Sequence, residues 1–255
     1  MILPVHPKKS LGQHFLKDEN IARKIVGSLP ESPSQFIEIG PGTGVLTKYL
    51  FERPGTGYYI ETDQNSIKYL AGKYSDHERY FIHGDFLKTD PGSFFEGEFS
   101  IIGNFPYNIS SPILFKILEH RDRVRYLVGM VQKEVAERIT SKPGSKKYGI
   151  LSVLLQAFYQ TEYLFTVNET VFLPPPKVKS AVIRLSRNQV TKLSCDEEIF
   201  FKIVKSAFNQ RRKILRNSLR SFIIDFDQEE IMELAGKRPE QLGISEFVAL
   251  AKYVV

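Results

Sequence analysis

The segment Phe36-Ile37-Glu38-Ile39-Gly40-Pro41-Gly42-Thr43-Gly44 constrains the fold of this chain more than any other. A short, mostly apolar run enters three glycines spaced two apart, and residues 45–50 then take up helical spacing. Such a run reads as a strand buried on both faces, the signature of a parallel sheet. Parallel neighbours need a crossover, so the segment predicts the first half of a nucleotide-binding βαβ unit. The glycines let backbone approach a ligand closely, because no Cβ intervenes.

The same ending recurs down the chain. Gly57-Tyr58-Tyr59-Ile60 ends in Glu61, residues 79–83 end in Gly84-Asp85-Phe86, and residues 99–103 end in Asn104. Open α/β sheets bind ligands outside the carboxyl ends of their strands. Glu61 is placed to accept from both hydroxyls of a ribose. Asp85 is placed to accept from the exocyclic amine of an adenine, with Phe86 packed on its ring. The glycine loop lacks the last Gly of the dinucleotide fingerprint and the Lys-Ser/Thr of a phosphate loop. A pyrophosphate is therefore disfavoured, and S-adenosylmethionine is the expected cofactor, held against Gly40 and Gly42.

Asn104-Phe105-Pro106-Tyr107 closes the fourth strand. By itself it is an ordinary strand-ending turn. Beside a bound nucleoside it suits the grip of an exocyclic amine. The Asn104 amide oxygen and the Pro106 carbonyl accept the two amine hydrogens, and Tyr107 stacks on the base. Phe105 is expected to point into the core.

Further strands are expected near residues 126–131, 163–167 and 181–185, with helices at 110–119, 132–138 and 150–158. Together these make a seven-stranded, mostly parallel sheet with helices on both faces. The composition turns polar over residues 186–194, which sets the expected boundary between an α/β domain at 1–187 and a helical domain at 188–255. In the latter, Ile199, Ile203, Val204, Ala207 and Phe208 form one apolar stripe, continued by Leu215, Leu219, Phe222 and Ile223. Arg212, Arg216 and Arg220 repeat every four residues. With Arg211 and Lys213 they form a basic face that has no acidic residue between Phe200 and Ile224. Lys146 and Lys147, beside Pro143-Gly144, add a second basic loop. A net charge of +6 agrees with a polyanionic partner, and these residues are the expected contacts to RNA. The single cysteine, Cys195, excludes an intramolecular disulfide framework. No metal site, signal peptide or membrane span is expected, and the chain reads as a cytoplasmic protein.

These motifs resemble the ribosomal RNA adenine-N6,N6-dimethyltransferases, which include the kasugamycin-resistance enzymes. The resemblance runs from Lys9-Ser10-Leu11-Gly12-Gln13-His14-Phe15-Leu16 through Phe172-Leu173-Pro174-Pro175-Pro176-Lys177-Val178 to Leu215-Arg216-Asn217-Ser218-Leu219. It implies a class I methyltransferase fold, with the amino-terminal motif closing over the cofactor through the His14 side chain and the Leu16 backbone. Many relatives carry Asn where this chain has His14. Asn104 would then serve both cofactor and target, and Phe172 is the candidate for the second stacking face of the base. Phe208-Asn209-Gln210-Arg211-Arg212 and Arg238-Pro239-Glu240-Gln241-Leu242 are similar to the small-subunit enzymes. That implies dimethylation of two adjacent adenines near the 3′ end of 16S rRNA in a small-subunit assembly particle, by a monomer. The alternatives are a large-subunit enzyme conferring antibiotic resistance, or a non-catalytic RNA-binding assembly or transcription factor on the same fold.

Overall fold

The computed structural model describes residues 5–254. Its strands are β1 (Phe15–Leu16), β2 (Gln35–Ile39), β3 (Thr56–Glu61), β4 (Phe81–His83), β5 (Phe99–Asn104), β6 (Val124–Gln132), β7 (Tyr159–Val167), β8 (Phe172–Leu173) and β9 (Ser180–Arg187). The helices are α1 (Glu19–Gly27), α2 (Thr47–Leu50), α3 (Gln64–Lys73), α4 (Ser110–Glu119), α5 (Lys133–Ile139), α6 (Ile150–Phe158), α7 (Glu197–Asn209), α8 (Leu215–Ser218) and α9 (Ile244–Lys252).

The chain divides into two compact units. One runs up to Ala136 and resumes over Glu162–Arg187; the other combines Glu137–Thr161 with the residues from Asn188 onward. This differs from a single cut at residue 187. The physical reason lies in α6, which packs on α7 and α9, so its apolar face belongs to the helical core rather than to the sheet.

In the first unit the seven-stranded sheet has the order β4-β3-β2-β5-β6-β9-β7. β2 pairs in parallel with β3 and with β5, and only then does β6 pair antiparallel with β9. The sheet grows first one way from β2 and then the other, which makes a topological switch point beside β2. The carboxyl ends of β2, β3, β4 and β5 gather at that point, as the strand-end residues predict. The expected third strand at 79–83 begins later, because residues 75–80 form a 3-10 helix before β4. A separate ladder pairs β1 with β8, Leu16 opposite Phe172.

Local chemistry sets the helix starts. The Asp18 carboxylate caps α1 by accepting from the Asn20 and Ile21 N–H groups, and Ala22, Ile25 and Val26 face the core. Phe105 is 1% exposed, as expected, and its bulk is accommodated by Gly103 and Gly129, which lie opposite each other on β5 and β6. A Cβ at either glycine would collide with the Phe105 ring.

In the second unit Phe200, Ile203, Val204 and Ala207 of α7 are buried, and Phe208 contacts both Tyr148 and Phe247. The stripe does not continue as one helix. α7 ends at Asn209, α8 is a single turn, and Ile223 is 73% exposed. Arg212, Arg216 and Arg220 therefore do not share one helix face, because residues 210–214 break the periodicity on which that expectation rested.

Candidate functional site

A cleft of about 650 Å³, open mouth included, lies at the ends of β2, β3 and β5. Gly40, Gly42, Glu61, Asp85, Phe86, Asn104, Pro106, Tyr107 and His14 all line it. Gly40 and Gly42 have φ of +69° and +57°, a region that side chains rarely adopt. A Cβ on Gly40 would meet no protein atom within 4 Å, so the loop leaves its inner face clear for a ligand.

Glu61 is 4% exposed, and its carboxylate accepts from the Gly42 N–H at 3.0 Å and the Asp63 N–H at 2.9 Å. Burial raises its pKa, and those backbone hydrogen bonds oppose the rise. The carboxylate thus pins the glycine loop and still has lone pairs to offer the cleft. Asp85 accepts from the Leu87 N–H through one oxygen, and Lys116 donates to the Leu87 carbonyl at 2.8 Å, so the turn carrying Phe86 is held from both sides. Behind this wall Glu38 is 1% exposed and takes a hydrogen bond from the Thr47 hydroxyl. Burial dominates there and pushes its carboxyl up to about 8, with Glu61 adding to the rise.

The amino-terminal segment lies over the cleft and is fastened at several points. Lys8 donates to Asp63 at 2.7 Å. Burial works against charge on Asp63, but Lys8 and the Asn65 N–H outweigh it and hold the carboxyl below its usual range. Asn104 Nδ2 donates to the His14 carbonyl at 2.9 Å, and His14 Nδ1 donates to the Pro174 carbonyl at 2.8 Å. The His14 ring stacks on Tyr107, centroids 5.5 Å apart, and the Tyr107 hydroxyl meets the Ser180 hydroxyl at 2.6 Å. Nδ2 of Asn104 being committed, its Oδ1 is the amide atom left to accept from a ligand.

One expectation is corrected. Phe172 is 1% exposed, sits in the hydrophobic cluster of the first unit and does not line the cleft. Bringing it out would forfeit about 2–3 kcal/mol of burial, so it is a core residue and not a stacking face. The Leu16 side chain is buried in the β1–β8 ladder, next to Phe15, which lines the cleft together with Leu11, Gly12 and Gln13. The Pro106 carbonyl already accepts from the Ile109 N–H at 3.1 Å. Phe105 lines the cleft while its ring is buried, so it presents backbone there. Leu11, Gly12, Gln13 and Phe15 lie within the amino-terminal motif itself, and the Gly12-Gln13 pair was the available signal.

In the second unit the basic residues carry more acid beside them than the sequence suggested. Arg211 faces Glu240 at 3.7 Å and donates to the Ser145 carbonyl, Arg216 faces Asp227 at 3.8 Å, and Lys147 pairs with Glu137. Lys146, Arg212, Lys213 and Arg220 carry no ion pair among the described residues and are exposed. The 142–147 loop and residues 211–220 fall in the same unit, joined by Arg211 donating to the Ser145 carbonyl at 3.2 Å. No helix among the described residues is long and apolar enough to cross a membrane.

Known proteins match both the fold and the motifs. The family model for ribosomal RNA adenine dimethylase matches residues 5–247. A ribosomal RNA small subunit methyltransferase A from Flavobacterium johnsoniae is 53% identical over 98% of this chain and 96% of its own length. Its counterpart in Cytophaga hutchinsonii is also 53% identical, with 96% of each chain covered. Among solved structures, a dimethyladenosine transferase from Plasmodium falciparum superposes with a TM-score of 0.78 at 27% identity, covering 93% of this chain and 96% of that one. The 23S rRNA methyltransferase ErmE superposes at 0.71 with 25% identity, covering 93% and 99%. With its glycine loop, strand-end acids and Asn-Phe-Pro-Tyr turn gathered at one cleft, the chain belongs to the ribosomal RNA adenine dimethylase family.

Proposed function

We propose that this S-adenosylmethionine-dependent enzyme dimethylates N6 of two adjacent adenines near the 3′ end of 16S rRNA, acting in the cytoplasm as a monomer on a small-subunit assembly particle. The observation that carries the chemistry is Asn104, whose Nδ2 is tied to the His14 carbonyl so that Oδ1 is the acceptor left for a target amine. The choice of subunit is supported by 53% identity to small-subunit relatives, against 25% to the large-subunit ErmE.

The residues present fit the cofactor. Glu61 would accept from the ribose hydroxyls, Asp85 from the adenine amine, and Phe86 would pack on the adenine ring, with Gly40 leaving room for backbone approach and Gly42 making room for the Phe15 ring. When bound, S-adenosylmethionine supplies the electrophilic sulfonium methyl.

The lone pair of adenine N6 is delocalised into its ring, so the protein must hold the amine in line and favour its rehybridisation. Asn104 Oδ1 accepts one N6 hydrogen. The second is taken by the Phe105 carbonyl, which belongs to a cleft-lining residue and is engaged by no hydrogen bond among the described residues; the Pro106 carbonyl, already accepting from Ile109, has one lone pair left. Both contacts strengthen as those hydrogens become more acidic, so positioning and electrostatic stabilisation do the work and no protein base is assigned. Tyr107, fixed by Ser180 and by the His14 ring, stacks on the extruded base. Lys146, Arg212, Lys213 and Arg220 contact RNA phosphates.

The test is labelled methyl transfer to undermethylated small subunits, large subunits and naked rRNA. Incorporation is expected in small subunits. Label confined to large-subunit rRNA would overturn the substrate assignment.

A further inference from the structure

A second groove, about 920 Å³ with its open side included, continues from the target end of the cleft and shares Gly12, Gln13, His14 and Tyr107 with it. Its floor is apolar, with Pro175 and Val178 both exposed, and Lys9 and Lys177 stand at its rim. No acidic residue lines it. An apolar floor edged by unopposed cations fits a nucleotide, whose base is flat and whose phosphate is anionic.

One polar side chain in this groove has no task in the fold. Gln132 ends β6 directly opposite Ser180, the residue whose hydroxyl holds Tyr107. Opposed residues of an antiparallel pair project to the same face, so Gln132 and the Ser180–Tyr107 contact share one side of the sheet. The Gln132 amide is half-buried and makes no side-chain hydrogen bond among the described residues. A glutamine amide accepts from adenine N6–H and donates to N7 at once, a pairing that guanine, with an acceptor at O6, does not offer.

We propose that this groove holds the nucleotide next to the target adenosine and that Gln132 reads it as an unmodified adenine. The inference rests on the reading of the chain as an enzyme acting on two adjacent adenines. Lys9 and Lys177 neutralise the phosphates that flank the pair, and Pro175 and Val178 support the neighbouring base. An N6,N6-dimethylated neighbour has no N6–H left to donate, so it loses one of the two hydrogen bonds. The groove therefore favours methylation of the adenine whose neighbour is still bare, which imposes an order on the pair.

Single-turnover methyl transfer to the target adenine tests this, in small subunits whose neighbouring base is adenine, guanine or N6,N6-dimethyladenine. The wild type is expected to react about tenfold faster beside unmodified adenine. In Gln132→Ala that preference collapses to within about twofold, while cofactor affinity and melting temperature stay at wild-type values. Gln132→Glu, which accepts from N6 but cannot donate to N7, falls between the two. A Gln132→Ala enzyme that keeps the full preference overturns the proposal, as does a wild type with none. A wild type that methylates large but not small subunits overturns the underlying substrate reading, a result read separately from neighbour preference.

Discussion

In the first unit Asn104 meets the His14 carbonyl at 2.9 Å and Tyr107 meets Ser180 at 2.6 Å, whereas in the second Arg211 and Arg216 face their carboxylates at 3.7 and 3.8 Å. The cleft commits particular atoms to particular partners, and what it leaves over is equally particular: among others, the Asn104 amide oxygen beside lone pairs of the Glu61 and Asp85 carboxylates. Most of the basic residues are exposed, Arg211 and Arg216 are loosely paired, and even the closer Lys147–Glu137 pair is individually weak. Chemistry at a single nitrogen needs the first arrangement, because displacement of a reacting atom by an ångström costs rate directly. Attraction to a polyphosphate needs only the second, because it sums over charges.

That contrast is open to experiment. Its sharpest form is Asn104→Ala, which removes the acceptor from the cleft; methyl transfer should fall about 10²–10³-fold or more, with cofactor affinity measured by calorimetry changed only a few-fold. Near-normal turnover would mean that the cleft does not work atom by atom.

The charges should behave in the opposite way. Replacing Arg212, Lys213 and Arg220 together by Ala should weaken RNA binding in graded fashion and reduce the slope of log affinity against log salt by about 2–3. Turnover at saturating RNA should hold. A single replacement that abolished binding would break the distinction.

The smallest effect concerns stability. Glu38 is buried with its carboxyl pushed up to about 8, above the value of about 4.5 it has when free. Between those values the folded protein holds a proton that the unfolded chain has lost, so stability declines as pH rises from about 4.5 to about 8 and levels off above. Glu38→Gln removes this dependence. Its melting temperature relative to wild type should climb across that window, read by calorimetry at several pH values. Parallel curves for the two proteins would mean that Glu38 ionises normally in the fold.

How much of this was legible in the chain varies by element. The β2 run and its glycine loop, Glu61 after β3 and Asn104 after β5 announce themselves, because each is a local apolar run with its ligand-facing residue at the end. Phe172 was misplaced. An aromatic beside three prolines looks the same whether its ring faces solvent or core, and its burial depends on a ladder with Leu16, far off in sequence. That the Pro106 carbonyl shares itself with Ile109 was not legible, because a turn hydrogen bond is decided by backbone geometry and not by residue type. The basic stretch looked uncompensated because Asp227 and Glu240 lie downstream and approach only on folding.

The sequence by itself determined the order of strands and glycine loops, the acids and amide at the strand ends, and the excess of positive charge. These follow from periodicity and residue chemistry within a few positions. Only the tertiary structure decided which atoms of those residues are spent and which are left over: Asn104 Nδ2 on His14, Pro106 O on Ile109, Phe172 in the core, the Gln132 amide without a hydrogen bond among the described residues. A hydrogen-bonding group has a fixed capacity, and its partners lie tens to hundreds of residues away. What remains for a ligand is therefore settled only when the chain has closed on itself.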